Sequence, residues 1–295
     1  MKEIKGLVSG IKRMEIHDGE GLRTTVFFKG CPLECVWCHN PESIGYKKQT
    51  AFFADKCIGC GSCYSVCGNG AVKIGGGIEF EKCVGCGECA EICPTEALTH
   101  YGREYTPSEL VSVLMEDALF FKNSGGGVTL SGGECLSQPE FAVETARLLK
   151  NNGVSVFVDT CGYIKREIID EIIPYTDKFL YDLKAFSEET HIACTGRSNK
   201  LILDNLKYLS SVGARIEIRI PFVPELNGEE MKDIAKLVSK LNVEKVKILP
   251  YHNFALSRYD ALGMMAEMPE NMPSNEKTDA VRRMFAELCR GVSIE

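Results

Sequence analysis

Short apolar runs alternate with longer amphipathic segments along most of the chain. The apolar or alternating runs predict strands at 22–28, 128–131, 154–158, 178–183, 215–220 and 245–249. Helical periodicity fills the intervals, including 165–173, 199–212 and 275–289. Strand–helix units that repeat in this way predict an α/β fold with a parallel sheet and right-handed crossovers.

Polar residues mark the starts of three further helices. Thr106, Ser137 and Asn227 each stand before a glutamate at the spacing of a capping box, and Pro107 fits the first turn of a helix. The strand–helix units number six, fewer than the eight of a closed barrel. We therefore expect an open, parallel six-stranded partial (β/α)6 barrel, with a doubly wound sheet as the alternative.

A segment rich in Cys and Gly interrupts this pattern. KCIGCGSCYSVCGNGAV is repeated as KCVGCGECAEICPTEAL, and the region around both is poor in large aliphatic residues. Such a segment is expected to be held together by its ligands rather than by an apolar core. We predict an inserted domain at 50–100, with the barrel formed by 1–49 and 101–295.

Composition narrows the class of protein. No run approaches the ~18–20 apolar residues of a membrane span, and the N-terminus lacks the apolar stretch of a signal peptide. The net charge is −7 without a Lys/Arg cluster, which argues against nucleic acid or an anionic membrane as a partner. We expect a cytoplasmic protein whose 15 cysteines bind metal or clusters rather than form disulfides.

Unusual polar and glycine residues follow all six predicted strands. In parallel α/β folds the chemistry lies at the carboxyl ends of the strands, so these residues are expected to meet. In chain order they are Cys31, Cys35 and Cys38; Gly132, Gly133 and Glu134; Asp159 and Thr160; Asp182 and Lys184; Arg219; and His252.

Two cysteine patterns predict iron–sulfur clusters. C-x₃-C-x₂-C at Cys31, Cys35 and Cys38 can ligate three irons of a [4Fe–4S] cluster and leave the fourth open for a substrate. A zinc knuckle, or an electron-transfer cluster with a distant fourth cysteine, is the alternative. Each repeat of the insert has the bacterial ferredoxin run, in which the fourth cysteine ligates the other cluster, with four-cysteine zinc sites as the alternative. The expected ligand sets are Cys57, Cys60, Cys63 and Cys93 for one cluster, and Cys67, Cys83, Cys86 and Cys89 for the other.

The motifs together resemble a known family. The three-cysteine loop followed by Gly-Gly-Glu after the next strand resembles the radical S-adenosylmethionine superfamily. The strings DGEGLR, GCPLECVWCHNPES, VTLSGGECLSQPEF, DTCGY, YDLKAFSEETHIACTG and LPYHNFALSRYDALG are similar to activating enzymes of glycyl radical enzymes, in the pyruvate formate-lyase activating enzyme-like family with a two-cluster insert. The chain departs from the common pattern at Cys135, where proline often follows Gly-Gly-Glu.

The resemblance implies roles for the strand-end residues around S-adenosylmethionine. It places Gly132, Gly133 and Glu134 at the methionine ammonium, Asp182 and Lys184 at the carboxylate and ribose, and His252 at the ribose. It places Trp37 and His39 near the adenine, a monovalent cation at Asp159, Thr160 and Asp182, and Arg219 beside the cofactor or a peptide substrate. Each has a structural alternative: a turn for the glycines and Asp159–Thr160, interior packing for Trp37 and His252, and a solvated pair for Asp182 and Lys184.

The resemblance also implies an activity. A reduced cluster would cleave S-adenosylmethionine, and the 5′-deoxyadenosyl radical would abstract a hydrogen from a glycine of a partner glycyl radical enzyme under anaerobic conditions. A flavodoxin- or ferredoxin-type reductant would supply electrons through the insert, unless the insert serves structure or docking. The alternatives are a radical enzyme with a small-molecule substrate and an electron-transfer protein with three clusters.

Overall fold

A mixed sheet of nine strands forms the centre of the molecule in the computed structural model, which describes residues 3–295. The six predicted strands are confirmed as β2, β6, β7, β8, β9 and β10, each within two residues of its expected bounds. Over the described residues the strands are β1 (Gly6–Glu15), β2 (Arg23–Phe28), β3 (Gln49–Phe52), β4 (Leu98–Tyr101), β5 (Arg103–Tyr105), β6 (Gly127–Gly132), β7 (Ser155–Thr160), β8 (Lys178–Asp182), β9 (Ile216–Phe222), β10 (Lys245–Pro250) and β11 (Ser293–Ile294).

The order of the strands distinguishes between the two expected topologies. The sheet runs β11-β10-β9-β8-β7-β6-β2-β1-β5, and the neighbours from β2 to β10 are parallel. A doubly wound sheet reverses its strand order at a switch point, whereas these six parallel strands follow the chain without reversal. The doubly wound alternative is therefore wrong.

The hairpin partner of the first parallel strand was not predicted. β1 pairs antiparallel with β2, and its register shifts between Val8 and Gly10 and again between Lys12 and Glu15. Met14 in the second irregularity has a φ of 62°. Because each bulge moves the following side chains to the other face, β1 lacks the unbroken two-residue alternation by which strands are recognised.

Helices cover the connections between the parallel strands. The capping box at α3 is confirmed, since Glu109 N donates to Thr106 Oγ1 at 3.3 Å and Thr106 N donates to the Glu109 carboxylate at 2.8 Å. The helices are α1 (Ser62–Val66), α2 (Glu88–Glu91), α3 (Pro107–Leu114), α4 (Ala118–Ser124), α5 (Pro139–Asn151), α6 (Arg166–Ile172), α7 (Glu188–Thr195), α8 (Lys200–Ser211), α9 (Pro224–Asn227), α10 (Met231–Val238), α11 (Leu256–Ala261) and α12 (Asn275–Leu288).

The two other predicted caps are wrong. α5 and α10 begin without a side-chain cap. Ser137 instead donates to Gly30 O at 3.2 Å. The Asn227 amide accepts from Val223 N at 2.9 Å and donates to Lys184 O at 2.8 Å. Both side chains therefore tie together loops at the carboxyl ends of the strands, where several unpaired backbone groups compete for them.

The core lies between the sheet and its helices, and the segment at 50–100 contributes little to it. Fully buried residues of the parallel strands include Val26, Leu130, Val156 and Ile218. In the cysteine-rich segment β3 and β4 form a separate antiparallel pair, and a small buried cluster joins Val72, Ile78, Cys89 and Leu98. Across residues 3–295 no helix has both the length and the apolar character that a membrane crossing requires.

Candidate active site

The loops after the parallel strands enclose one cavity of about 380 Å³. Glu134, Thr160 and His252 are not among its lining residues. The predicted residues that do line it are Cys31, Cys35, Trp37, Cys38, His39, Gly132, Gly133, Asp159, Asp182, Lys184 and Arg219. The parallel sheet thus brings together most of the residues that the sequence singled out at the strand ends.

Backbone hydrogen bonds fix the three-cysteine loop at both its ends. Gly30 N donates to Ser43 O at 2.8 Å, and Val36 N donates to Cys194 O at 3.0 Å. Cys194 lies in α7, so this helix shapes the cysteine loop without lining the cavity. Cys194 is buried, as are Cys135, Cys161 and Cys289.

The chemistry of the cysteine sulfurs fits an iron site. Burial raises the pKa of Cys35 to about 12 and that of Cys38 to about 11. The pKa of Cys31 is lowered, chiefly by a hydrogen bond with the Cys161 thiol. Ligation needs thiolates, and a dehydrated thiol ionises only when a cation is close enough to compensate for lost water. Iron would supply that charge. Cys161 also lines the cavity, although no ligand spacing marked it.

The two glycines after β6 bring backbone against the cysteine loop. Gly132 has a φ of +119°, a conformation that side-chain-bearing residues rarely adopt. A Cβ on Gly133 would lie 2.4 Å from Ser43 O and 2.5 Å from Gly30 O. Only glycine fits at either position, and the exposed main chain that results forms one wall of the cavity.

Glu134 lies behind the cavity wall, where its carboxylate is bonded to other residues of the chain. The family resemblance instead implies a contact with the methionine ammonium. Its side chain is 1% exposed, and burial raises the pKa of its carboxyl. The carboxylate accepts from Leu136 N at 3.0 Å and Cys161 N at 2.8 Å, and the Thr160 hydroxyl lies 2.9 Å from both oxygens. Glu134 and Thr160 therefore join the ends of β6 and β7 to each other.

Charged groups of opposite sign line the floor of the cavity. Arg219 lies 3.2 Å from Asp18 and 3.8 Å from Asp159, while Lys184 donates to Asp182 at 2.8 Å. Burial raises the pKa of Asp159 to about 7, against the opposing effect of Arg219. Asp18 belongs to the DGEGLR string that contributes to the family resemblance, but no role was predicted for it. The floor can hold an ammonium and a carboxylate at once.

A stack of aromatic rings borders the cavity. The rings of His39 and His252 lie 4.0 Å apart at 6°, and Phe254 stacks on the other face of His252 at 4.5 Å. His39 Nε2 donates to His252 O at 2.8 Å, whereas the buried His252 Nδ1 has no hydrogen-bond partner in the described chain. Trp37 is 5% exposed and packs against Tyr251 and its neighbours. His252 thus offers a free polar atom behind His39.

Cysteines from the two predicted repeats of the insert lie near one another at two places. A cavity is lined by Cys67 of the first repeat together with Cys83, Cys86 and Cys89 of the second. Burial and these neighbours raise the pKa of Cys89 to about 11. Cys93 of the second repeat is in turn close enough to Cys60 and Cys63 to influence the pKa of Cys63, which burial raises. Within residues 3–295, no group of three or more His, Cys, Asp or Glu side chains has the arrangement needed to hold a single metal ion.

Comparison with known proteins agrees with this geometry. Residues 25–238 match the radical SAM superfamily. The solved structure of TYW1 with a lysine–pyruvate adduct shares the fold, with a TM-score of 0.50, 16% identity, and coverage of 93% of this chain and 74% of that one. The match to the superfamily covers more than half of the chain, which therefore belongs to the radical SAM superfamily.

The relatives define the group within the superfamily. The trans-4-hydroxy-L-proline dehydratase activating enzyme of Clostridioides difficile is 44% identical over 95% of both chains. The choline trimethylamine-lyase activating enzyme of Oleidesulfovibrio alaskensis is 41% identical over 89% of both. The pyruvate formate-lyase 2-activating enzyme of Escherichia coli is 34% identical over 94% of this chain and 88% of its own. The chain is a member of the radical SAM activating enzymes of glycyl radical enzymes.

Proposed function

We propose that the chain cleaves S-adenosylmethionine in the cavity at the strand ends and activates a partner glycyl radical enzyme by removing a hydrogen from its glycine. The observation that carries the proposal is the convergence of three half-buried cysteines, a glycine-built wall and a floor of paired charges on one cavity. The order of the parallel strands supports a partial (β/α)6 barrel as the frame for this cavity.

Cys31, Cys35 and Cys38 would hold a [4Fe–4S] cluster. A cluster held there would supply the electron for reductive cleavage of S-adenosylmethionine to methionine and a 5′-deoxyadenosyl radical, and that radical would remove the hydrogen from the partner's glycine. The protein's own contribution is to orient this chemistry and to exclude water and oxygen from it.

Different residues around the cavity would bind different groups of S-adenosylmethionine. The main chain at Gly132 and Gly133 would bind the methionine ammonium, because no side chain bars its approach. Lys184 would bind the carboxylate of the methionine group, and Asp182 would remain the ion-pair partner of Lys184. Asp159 and Asp182 remain our candidates for a monovalent cation, with Arg219 orienting the cofactor or the peptide. Thr160 belongs to that candidate set less directly, since its hydroxyl is committed to Glu134.

The side chains on the opposite wall would contact the nucleoside. Trp37 and His39 would border the adenine, and both line the cavity. His252 would reach the ribose with Nδ1, its unpartnered atom, only if the ring moves toward the cavity, because it now lies behind His39.

For the insert we propose two further [4Fe–4S] clusters. The grouping of Cys67 with Cys83, Cys86 and Cys89 supports one set of ligands, and the nearness of Cys93 to Cys60 and Cys63 supports the other, which Cys57 would complete. They would relay electrons from a flavodoxin- or ferredoxin-type reductant in the cytoplasm, with docking of the partner as the second role to be tested.

One substitution tests the assignment of the catalytic cluster. Cys35→Ala should abolish formation of 5′-deoxyadenosine after reduction with dithionite while the iron of two clusters remains, because the insert keeps its own ligands. Cys289→Ala is the matched control, since that buried thiol donates to Ala235 O at 3.3 Å far from the cysteine loop. Cleavage of S-adenosylmethionine by Cys35→Ala would refute the assignment. A glycine-centred doublet in electron paramagnetic resonance of the partner separates this function from action on a small molecule.

A further inference from the structure

A second cavity adjoins the catalytic one. It measures about 430 Å³ and lies between β1, the loop after Cys38 and the β3–β4 hairpin of the insert. Lys12, Phe27 and Asn40 line both cavities, and the Lys12 ammonium lies 5.3 Å from the centre of the Phe27 ring. The two cavities therefore adjoin at these three residues, which we call the neck.

One wall of the second cavity is the open edge of a strand. β1 pairs with β2 along its length, but on its other side β5 pairs only with Gly6, Leu7 and Val8. The residues that line the cavity, Ser9 to Lys12, come directly after this short pairing. A strand edge without a partner presents main-chain donors and acceptors to whatever lies beside it.

The opposite wall is supplied by the insert. Phe53, Thr99 and Tyr101 of the hairpin line the cavity, as does Arg258 of α11. Arg258 is held there by His39 O at 3.1 Å and the Glu42 carboxylate at 3.3 Å. The space is thus a slot between a strand edge and a hairpin, with its inner end at the catalytic cavity.

We propose that the glycine-bearing segment of the partner enzyme binds in this slot as an added strand beside β1, and that its glycine reaches the catalytic cavity through the neck. The inference rests on the proposed function and adds the route that the substrate takes. Strand addition recognises main chain, which suits a segment whose reacting residue has no side chain. The cysteines of the insert do not line the slot, so an electron carrier seated there would touch none of the proposed ligands.

Gly10 provides a way to fill the slot without disturbing the fold. It lines the slot, and a Cβ built on it meets no atom within 4 Å. Gly10→Trp should therefore fold and bind its clusters, while its ring occupies the place of the added strand. Lys207→Trp, on the exposed outer face of α8, is the matched control because it adds the same side chain far from the slot.

The experiment compares two readouts for each variant. One is 5′-deoxyadenosine formed with dithionite and no partner; the other is the glycyl radical doublet formed on trans-4-hydroxy-L-proline dehydratase or choline trimethylamine-lyase, the partners named for its relatives. Gly10→Trp should keep the wild-type iron content and the first readout and lose the second, with Lys207→Trp unchanged in both. Equal radical yields from Gly10→Trp and wild type would refute the proposal that the partner's segment binds in the slot.

Two further outcomes distinguish binding of the partner's segment in the slot from the alternative explanations. A wild-type chain that forms 5′-deoxyadenosine but no radical on either enzyme counts against the proposed function itself. If Gly10→Trp slows reduction by flavodoxin but not radical formation with dithionite, the occupant is the electron carrier and our proposal is wrong. Gly10→p-benzoylphenylalanine gives a positive test, because its photo-crosslink should map to the partner peptide that contains the glycine, and a crosslink elsewhere would contradict the route.

Discussion

Glu134→Gln should destabilise the folded chain, although it preserves the size of the side chain. Each carboxylate oxygen of Glu134 faces a backbone donor: one accepts from Leu136 N and the other from Cys161 N. A glutamine amide carries one oxygen and one NH₂ group. In either orientation the NH₂ group points at a backbone N–H, so one buried donor loses its acceptor.

The expected loss follows from that single unpaired donor. A buried N–H left without a partner costs ~1–3 kcal/mol, out of the ~5–15 kcal/mol that typically separates folded from unfolded domains. The neutral amide is easier to bury than a carboxylate, and this offsets part of the loss. We therefore expect the free energy of unfolding to fall by about 1–2 kcal/mol.

Anaerobic urea unfolding of the iron-free protein measures this change, with Glu140→Gln on the exposed side of α5 as the control. S-adenosylmethionine affinity of the reconstituted protein is measured in parallel. We expect the free energy of unfolding to fall for Glu134→Gln and not for Glu140→Gln. The affinity for S-adenosylmethionine should change only as a consequence of that loss of stability. Unchanged stability combined with weakened binding of S-adenosylmethionine would show instead that Glu134 contacts the ligand, as the family resemblance implies.

Three other substitutions test neighbouring parts of the structure. Gly133→Ala should prevent the cysteine loop from closing, because its Cβ would overlap two carbonyl oxygens, and should lower iron content by one cluster, whereas Gly68→Ala, with nothing within 4 Å, should not. Cys161→Ser should keep all its iron if Cys161 only donates a hydrogen bond to Cys31, and loss of a cluster would show that Cys161 is a fourth ligand. Burial lowers the pKa of Lys29 to about 8, so between pH ~8 and ~10 this residue binds more protons in the unfolded chain than in the folded one. The contribution of Lys29 to stability should therefore rise over that range, and the urea midpoint of the iron-free wild type should rise relative to that of Lys29→Met.

The parallel strands could be predicted because burial on both faces leaves an unmistakable apolar run at each of them. Their carboxyl ends could be predicted to converge because a parallel sheet admits no other arrangement. β1 has one buried half and one exposed half, separated by bulges, and its sequence therefore resembles a loop. The cysteine motifs could be recognised in the sequence because the proposed ligands of each loop lie within a few residues of one another.

The directions in which side chains point could not be predicted from such spacing. Glu134 comes immediately after two cavity-lining glycines. The positive φ of Gly132 changes the course of the chain, and the side chain of Glu134 is buried in the interior. Asp18 reaches the cavity floor from a turn between two antiparallel strands, and only the tertiary contact with Arg219 shows that it belongs there. The position of Asp18 and the direction of the Glu134 side chain both depend on backbone geometry rather than on composition.

The insert and the catalytic loop share their anchors, and this limits what a deletion can show. Lys29, which precedes the cysteine loop, donates to Glu42 O at 2.6 Å and to Gln49 at the start of β3 at 2.8 Å. Removing residues 50–100 would cut away the rest of β3 and most of β4, whose pairing holds Gln49 in place beside the buried Lys29 ammonium. The base of the catalytic loop would then loosen, so lost activity would follow whether or not the insert carries electrons. Cys60→Ala changes one exposed ligand and leaves Lys29 in place. An electron relay then predicts loss of flavodoxin-driven cleavage with dithionite-driven cleavage intact, whereas a structural role predicts that the two decline together.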